Sequence, residues 1–410
     1  MSERAGDAVV AVVGGGAVGA ALACALGHEG IPTALVEARP PRGPACGDPW
    51  RLRVSALTEA SRRMLQALGA WQALASERLE PIRGMEVWDA AGSGRIRFDA
   101  DELGLDAIGY IAENEALQAA LWQRLESMPA VRVVAPARVE ALQPEGAKAV
   151  LALDTGEALE ASLVVAADGR DSPLRRAAGV PVRGWEYDQS GLVAAVRPAV
   201  HHGGVARQRF LPTGPLAFLP LPDGACSIVW SVPRRQAEAL LELPADAFAE
   251  RLGAAFGHAL GPVLEVGERA AFPLRLQHAT RYAARRLVLA GDAAHAIHPL
   301  AGQGLNLGLM DAAALAEVLI AAWRRGGDLG DPRYLHRYER WRKGENLAMM
   351  AVMDAFKRMF GSSLPPLVAL RGLGLRWVDR ALPLKRSIMR RAMGLSGDLP
   401  MLARGEWGGG

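Results

Sequence analysis

The stretch VVAVVGGGAVGAALACALGHEGIPTALVE, residues 9–37, decides the fold. Val9–Val13 is an unbroken β-branched and Ala run, the pattern of a parallel strand buried on both faces. Gly14, Gly16 and Gly19 follow at G-x-G-x-x-G spacing. Ala20–Leu26 then reads as a helix, and Ile31–Val36 as a second strand ending at Glu37. Gly14 makes the tight turn, Gly16 lacks a Cβ and admits a pyrophosphate to the backbone, and Gly19 lets helix and strand pack closely. The helix N-terminus offers unpaired N–H groups and partial positive charge to the phosphates. Glu37 accepts hydrogen bonds from a ribose hydroxyl and repels a 2′-phosphate, so the motif suits FAD or NAD and not NADP. A glycine-rich turn that binds nothing is the bland alternative, and the order strand, turn, helix, strand, acid argues against it.

Two later segments carry related signals. Leu163–Ala167 is a further buried strand that runs into Asp168-Gly169. Arg286–Ala290 is another, ending in Gly291-Asp292 and continuing through His295, His298, Pro299, Gly302, Gly304, Asn306 and Asp311 into a helix that extends to about Trp323. The glycines from Gly302 to Gly308 let a helix start press against a planar ligand. That helix N-terminus would face the negative charge developing on a reduced flavin. Asp292, at a strand end, is placed to accept a hydrogen bond from a polyol hydroxyl.

These three motifs together resemble the para-hydroxybenzoate hydroxylase fold of FAD-dependent aromatic monooxygenases, over nearly the whole chain. The resemblance implies that Asp292 binds the ribityl chain and that Pro299, Gly302, Gly304 and Asn306 lie against the isoalloxazine. It implies that Asp168 and Gly169 help to bind FAD and are linked to the nicotinamide pyrophosphate, and that Arg53 contacts the FAD phosphates. Asn114, with Gln118 as the other candidate, stands where many relatives carry Arg. Within the fold, Trp185–Gln189, Arg209–Pro215, Val229–Ser231 and the tail from Gly374 to Pro400 resemble the hydroxylases of ubiquinone biosynthesis, which act on polyprenylated phenols. That resemblance implies NAD(P)H as electron donor, O2 as co-substrate and a C4a-hydroperoxyflavin attacked by an electron-rich ring. The groups it puts near the ring are Pro299, His298, Tyr187 and Arg209, with His295 and Gln189 as further candidates. A prenyl reductase on the same scaffold and a non-catalytic member of a quinone-biosynthesis assembly remain as alternatives. The W-x-W-x-I-P signature of flavin halogenases fits poorly, because Ile228 stands two residues before Trp230.

The expected architecture is α/β. A Rossmann-like FAD-binding domain is assembled from residues 1–85, 108–180 and 270–345, because its motifs lie far apart in the chain. Gly84–Phe98 and Tyr187–Val232 alternate apolar and polar residues between Gly/Pro turns, so residues 86–107 and 181–269 read as an inserted antiparallel sheet over the flavin. Residues 346–410 form a helical, basic tail.

Composition limits the remaining possibilities. Half of the 410 residues are hydrophobic and 22% are charged, a globular balance and not a disordered one. Cys24, Cys46 and Cys226 are scattered without C-x-x-C spacing, which predicts neither a disulfide framework nor a structural metal. The polar start has no signal-peptide layout, and Leu305–Trp323 is interrupted by Asn306, Asp311 and Glu317, so no membrane-spanning helix is expected. A net charge of +3 gives no support to nucleic-acid binding. The charge is uneven: from Leu370 onward eight Arg/Lys against three Asp/Glu give +5, leaving −2 for the rest. Helical segments Leu364–Val378 and Leu384–Met393 mix cations with apolar residues, as an interfacial helix does. The expected setting is cytoplasmic, peripheral on the inner face of the cytoplasmic membrane. The expected partners are the polyprenylated phenol, a ubiquinone-biosynthesis protein complex, the membrane surface and a second copy of the chain.

Overall fold

The computed structural model describes residues 8–45, 47–74, 76–92, 94–296, 303–361 and 364–407. Ala8–Val13 lies at the middle of the first sheet, in parallel register with Thr33–Val36 on one side and Ala158–Ala166 on the other. Val131–Val134 and Leu287–Leu289 extend this parallel core outward, and Val139–Glu145 with Lys148–Leu153 forms an antiparallel arm on Ala158–Ala166. Strands at the centre are buried on both faces, which is why their sequences are continuous apolar runs without alternation.

Helix Ala17–His28 packs between this sheet and the long helix Gln303–Trp323. Its residues from Gly19 to Leu26 are all buried, so it is apolar all round and not amphipathic. Gly304–Trp323 is long and apolar enough to cross a membrane by length and composition, but 83% of that stretch is buried inside the protein. Its polar members Asn306 and Asp311 are buried with hydrogen-bond partners, as buried polar groups require.

The second sheet has eight strands, in the order His295–Ala296, Val263–Ala279, Val182–Pro198, Cys226–Pro233, Gly214–Pro220, Val205–Leu211, Gly84–Asp89 and Arg95–Asp99. All neighbours are antiparallel except Val205–Leu211 and Gly84–Asp89, which run parallel. Helices Arg234–Glu242 and Ala245–Phe256 cover one face, burying Leu192, Phe218, Ile228 and Trp230 against Phe248 and Phe256. A three-stranded sheet of Val54–Leu57, Gly109–Glu113 and Leu79–Ile82 lies against the opposite face.

Three expected boundaries fall inside single elements, the first at residue 85 within strand Gly84–Asp89. Strand Val263–Ala279 continues through residue 270, because its pairing with Val182–Pro198 holds as far as Val182↔Ala279. Helix Pro332–Gly361 continues through residue 346; Arg342 and Asn346 on it bind the cofactor-side core, while Phe360 stacks on Phe210 of the second sheet at 3.9 Å.

The tail is docked, and part of its positive charge does the docking. In helix Pro365–Arg380, Arg371 is buried: its Nε and a terminal nitrogen reach Asp89 at 2.6 and 3.2 Å, and its other terminal nitrogen donates to the Met359 and Phe360 carbonyls. In helix Leu382–Ala392, Lys385 is buried against Glu102 at 2.7 Å and Asp379 at 3.1 Å. These two cations therefore face protein, contrary to their expected place along a lipid-facing surface. Removing one partner of a buried pair strands the other charge, at a cost of about 3–5 kcal/mol. Arg371→Met should lower unfolding free energy in denaturant by about this much and open the tail to proteolysis. The double variant Asp89→Leu/Arg371→Met should recover most of the loss; equal stability of the single variant and the parent chain would disprove the assignment.

Candidate functional site

The glycine turn is built as its residue types require. Gly14 has φ +104°, and a Cβ there would lie 2.3 Å from the Ala167 carbonyl oxygen. A Cβ on Gly19 would lie 2.0 Å from the Gly14 carbonyl oxygen, so helix and turn touch backbone to backbone. Gly16, where the helix begins, meets nothing within 4 Å. No side chain caps this helix, so its first N–H groups are available to an anion.

Glu37 closes the far side of the turn. One carboxylate oxygen accepts the Gly15 N–H at 2.5 Å and the other the Arg39 N–H at 2.8 Å. The Gly15 carbonyl accepts hydrogen bonds from the Gln118 amide at 2.7 Å and the Trp122 indole at 2.8 Å. Gln118 therefore holds the turn. Trp122 was missed from sequence, although its place four residues after Gln118 puts both on one helix face. Asn114 starts the same helix, and its side-chain oxygen accepts from the Ser55 hydroxyl at 2.7 Å, an internal role.

Asp168 borders the turn, its backbone nitrogen lying 2.8 Å from where a Gly14 Cβ would stand. One carboxylate oxygen accepts the Leu174 N–H at 3.3 Å; the other is buried without a partner among the described residues. Burial raises its pKa, against the opposing hydrogen bonds of Ser172 and the Leu174 N–H. Gly169 has φ +86° and open space around it. Arg175 donates to the Ala293 carbonyl at 2.8 Å and so ties this loop to the turn that carries Asp292.

Asp292 occupies the turn Gly291–Ala293. Its side chain is reached by solvent, yet enough protein surrounds it to raise its pKa by desolvation, against the fields of His295, Arg53 and Arg170. Both observations describe a carboxylate on the wall of a cleft, faced by the exposed Arg53 and by Arg170. It makes no hydrogen bond to any described residue.

Beneath that turn lies a buried network. Asp311 accepts hydrogen bonds from the Gly291 N–H at 3.1 Å, His295 Nε2 at 2.5 Å, Arg342 Nε at 2.9 Å and the Asn346 amide at 3.1 Å. Burial alone would raise its pKa, but His295 and Arg342 outweigh this and hold it at about 2. His278, across the strand pair from His295, is lowered to about 4, chiefly by burial. Tyr282 links the two sides, its hydroxyl 3.0 Å from His278 and 3.2 Å from the Asn346 amide. His295 is thus a member of the network under the turn.

The other expected site residues divide three ways. Asn306 accepts from the Thr58 N–H and the Ser61 hydroxyl and donates to the Ala56 carbonyl, so its side chain anchors helix Gln303–Trp323 instead of a ligand. Gly304 is the second residue of that helix. Tyr187 sits behind an exposed Trp185, its hydroxyl 3.3 Å from Asp354, and burial raises its pKa to about 12. Arg209 is corrected outright: it lies on the face of the second sheet covered by Ala245–Phe256, donating to the Ala255 carbonyl at 2.8 Å, away from the cofactor cleft. Gln189 donates to the Thr213 carbonyl at 2.8 Å. His298, Pro299 and Gly302 lie outside the described residues. Among the described residues no cluster of His, Cys, Asp or Glu could hold a metal ion.

This arrangement fits FAD. The open space at Gly16, the uncapped helix start, the unpartnered Asp168 oxygen and the cleft-lining Asp292 carboxylate suit phosphate and polyol groups.

Comparison with known proteins agrees. Residues 7–353 match the FAD binding domain family. The ubiquinone hydroxylase UbiL of Rhodospirillum rubrum is 41% identical over 399 residues, covering 97% of this chain and 92% of that protein. The 3-demethoxyubiquinol 3-hydroxylase of Escherichia coli is 39% identical over 386 residues, covering 94% of this chain and 98% of that protein. Among solved structures, p-nitrophenol 4-monooxygenase PnpA from Pseudomonas putida superposes with a TM-score of 0.79 at 21% identity, over 95% of this chain and 98% of that one, a likeness of fold.

Replacing Asp292 by Ala should weaken FAD retention by about 1.5–3 kcal/mol, the worth of a hydrogen bond to a charged group. Equilibrium dialysis of the purified variant measures this, and retention equal to that of the parent protein would remove Asp292 from the site.

Proposed function

We propose the reaction of this chain from the premise that it belongs to the ubiquinone-biosynthesis hydroxylases, a family of FAD-dependent aromatic monooxygenases. It hydroxylates the aromatic ring of a polyprenylated phenol, with NAD(P)H as electron donor and O2 as co-substrate. The observation that carries this reading is similarity along nearly the full length of both chains to proteins named as ubiquinone-pathway hydroxylases, with the cofactor cleft intact in this one. FAD, when bound, supplies the redox and oxygen-transfer chemistry. The chain's own residues bind and orient. The helix start at Gly16 takes the pyrophosphate, Glu37 stands at the ribose end and Asp292 at the polyol. The second sheet, closed on its outer side by two helices, excludes water from the reacting groups.

The holoenzyme, given NAD(P)H, isotopically labelled O2 and a short-chain prenylated phenol, should return a ring-hydroxylated product carrying one labelled oxygen. A product reduced in its prenyl chain, with no label, would support the prenyl-reductase alternative instead.

A polyprenyl chain partitions into lipid, so the protein must meet its substrate at a bilayer or through a partner that extracts it. The reading taken here is reversible attachment to the inner face of the cytoplasmic membrane through the tail. Leu364, Leu367, Leu370, Leu373 and Trp377 recur at three- and four-residue spacing and are all exposed, Leu370 and Trp377 each to 66%. Arg380, Arg386, Arg390 and Arg391 are exposed beside them. Each such cation near an anionic leaflet contributes about 1 kcal/mol. A ubiquinone-biosynthesis protein complex or a second copy of the chain on the same face is the competing outcome. Flotation with anionic vesicles at low salt should be lost when Leu370, Leu373 and Trp377 are all changed to Ser, and also when Arg386, Arg390 and Arg391 are all changed to Glu. Flotation equal to that of the parent protein in both variants leaves a protein partner as the route to substrate.

A further inference from the structure

One row of side chains on the second sheet joins none of the hydrophobic clusters formed by the described residues. Strand alternation sends Leu192, Ile228, Leu216 and Phe218 to the face covered by the two helices, and the residues between them to the other face. On that other face Val193 pairs with Val229, Val229 with Ala217, and Ala217 with Gln208, in one continuous register across four strands. The rows on either side are packed. Toward the cofactor, Ala195, Leu219 and Ala206 meet Trp50, Ala56 and Ile111, and the Ala56 carbonyl accepts the Asn306 amide at the start of helix Gln303–Trp323. On the other side Phe210 stacks on Phe360 beside Met353. The row between them joins none of the hydrophobic clusters formed by the described residues, and Val193 and Val229 stay half-buried in the interior of an eight-stranded sheet.

Half-buried Val193 and Val229 leave this part of the sheet face accessible beside the row packed toward the cofactor. This part of the face is small and apolar except at Gln208, which is 7% exposed and whose amide hydrogen-bonds no described residue. Its amide keeps some contact with solvent and is not sealed inside the fold, so it is open to a ligand on this face. An amide both donates and accepts, the requirement for recognising a ring hydroxyl or ether oxygen. We propose that Gln208 orients the substrate: its amide hydrogen-bonds an oxygen substituent of an aromatic ring lying on Val193, Val229 and Ala217. This rests on the reading of the protein as a phenol hydroxylase and names the residue that chooses how the ring is presented.

The test uses the FAD-loaded protein with two probes, 2-geranylphenol and geranylbenzene, which differ by the ring hydroxyl. Binding is followed by equilibrium dialysis. The parent protein should prefer the phenol by about tenfold, the range expected when a site is built around one hydrogen bond. Gln208→Leu should bind both probes equally, with FAD content and melting temperature unchanged, since the amide supports no contact within the fold. Under turnover the same variant should divert reducing equivalents from hydroxylated product to hydrogen peroxide. A Gln208→Leu protein that keeps the tenfold preference, or a parent protein that binds both probes but shows no preference, overturns the assignment of Gln208 while leaving the hydroxylase reading in place. A parent protein that binds neither probe overturns the substrate reading, and the assignment of Gln208 with it.

Discussion

A carboxylate cut off from water is tolerated only when donors replace its hydration, and Asp311 has four. They come from separate parts of the chain. The Gly291 N–H belongs to the turn that carries Asp292, His295 to the edge strand of the second sheet, and Arg342 and Asn346 to helix Pro332–Gly361. The cofactor turn, the sheet edge and the long helix are thus located by one charge. Loss of any donor would leave the charge under-satisfied in a medium of low dielectric, so the three pieces hold their places together or not at all. This explains why a buried charge persists near the middle of a mostly apolar helix, where composition alone argues against one.

Much of the fold was legible because its signals are local. The glycine turn, its acid and the apolar parallel strands lie within short windows, and their physical reasons concern neighbours in sequence: φ at Gly14, close approach at Gly19, burial on both faces at Val9–Val13. The Asp311 network was not legible. Asp311 was visible as a polar break in an apolar run, but its partners Arg342 and Asn346 sit about one helix further on, among ordinary charged residues. Arg209 failed for a related reason. Alternation along Val205–Leu211 separates two faces, but it does not say which face turns toward the cofactor. That is decided by helices Arg234–Glu242 and Ala245–Phe256, which cover the side carrying Arg209.

Charge counted along the tail shows the same limit. A net of +5 in the last part of the chain treats every cation as available to a partner. Arg371 and Lys385 are not, because each lies buried against carboxylates of the segment around Gly84–Asp99 and the tail itself. A Lys or Arg in an amphipathic helix can serve the docked face as well as the open one, and only the identity of its neighbours separates the two. Arg380, Arg386, Arg390 and Arg391 are exposed, and so are Leu364, Leu367, Leu370, Leu373 and Trp377 of the same tail.

The long helix makes these separate features mechanically continuous. It begins beyond Asp331, binds the Asp311 network at Arg342 and Asn346, passes Tyr187 at Met350 and Asp354, and ends with Phe360 on the second sheet and its last carbonyls on Arg371. A helix is stiff over this length because each peptide is tied to the next turn by a hydrogen bond. The cofactor turn, the row around Gln208 and the tail therefore share one rigid spine. A force on the tail bears on the Arg371 end of that spine. Because packed interiors yield little, such a force is resisted at Phe210 and Phe360 before it reaches the cofactor turn. The packed Phe210–Phe360 contact thus stands between the tail and the cofactor turn, while both remain parts of the same body.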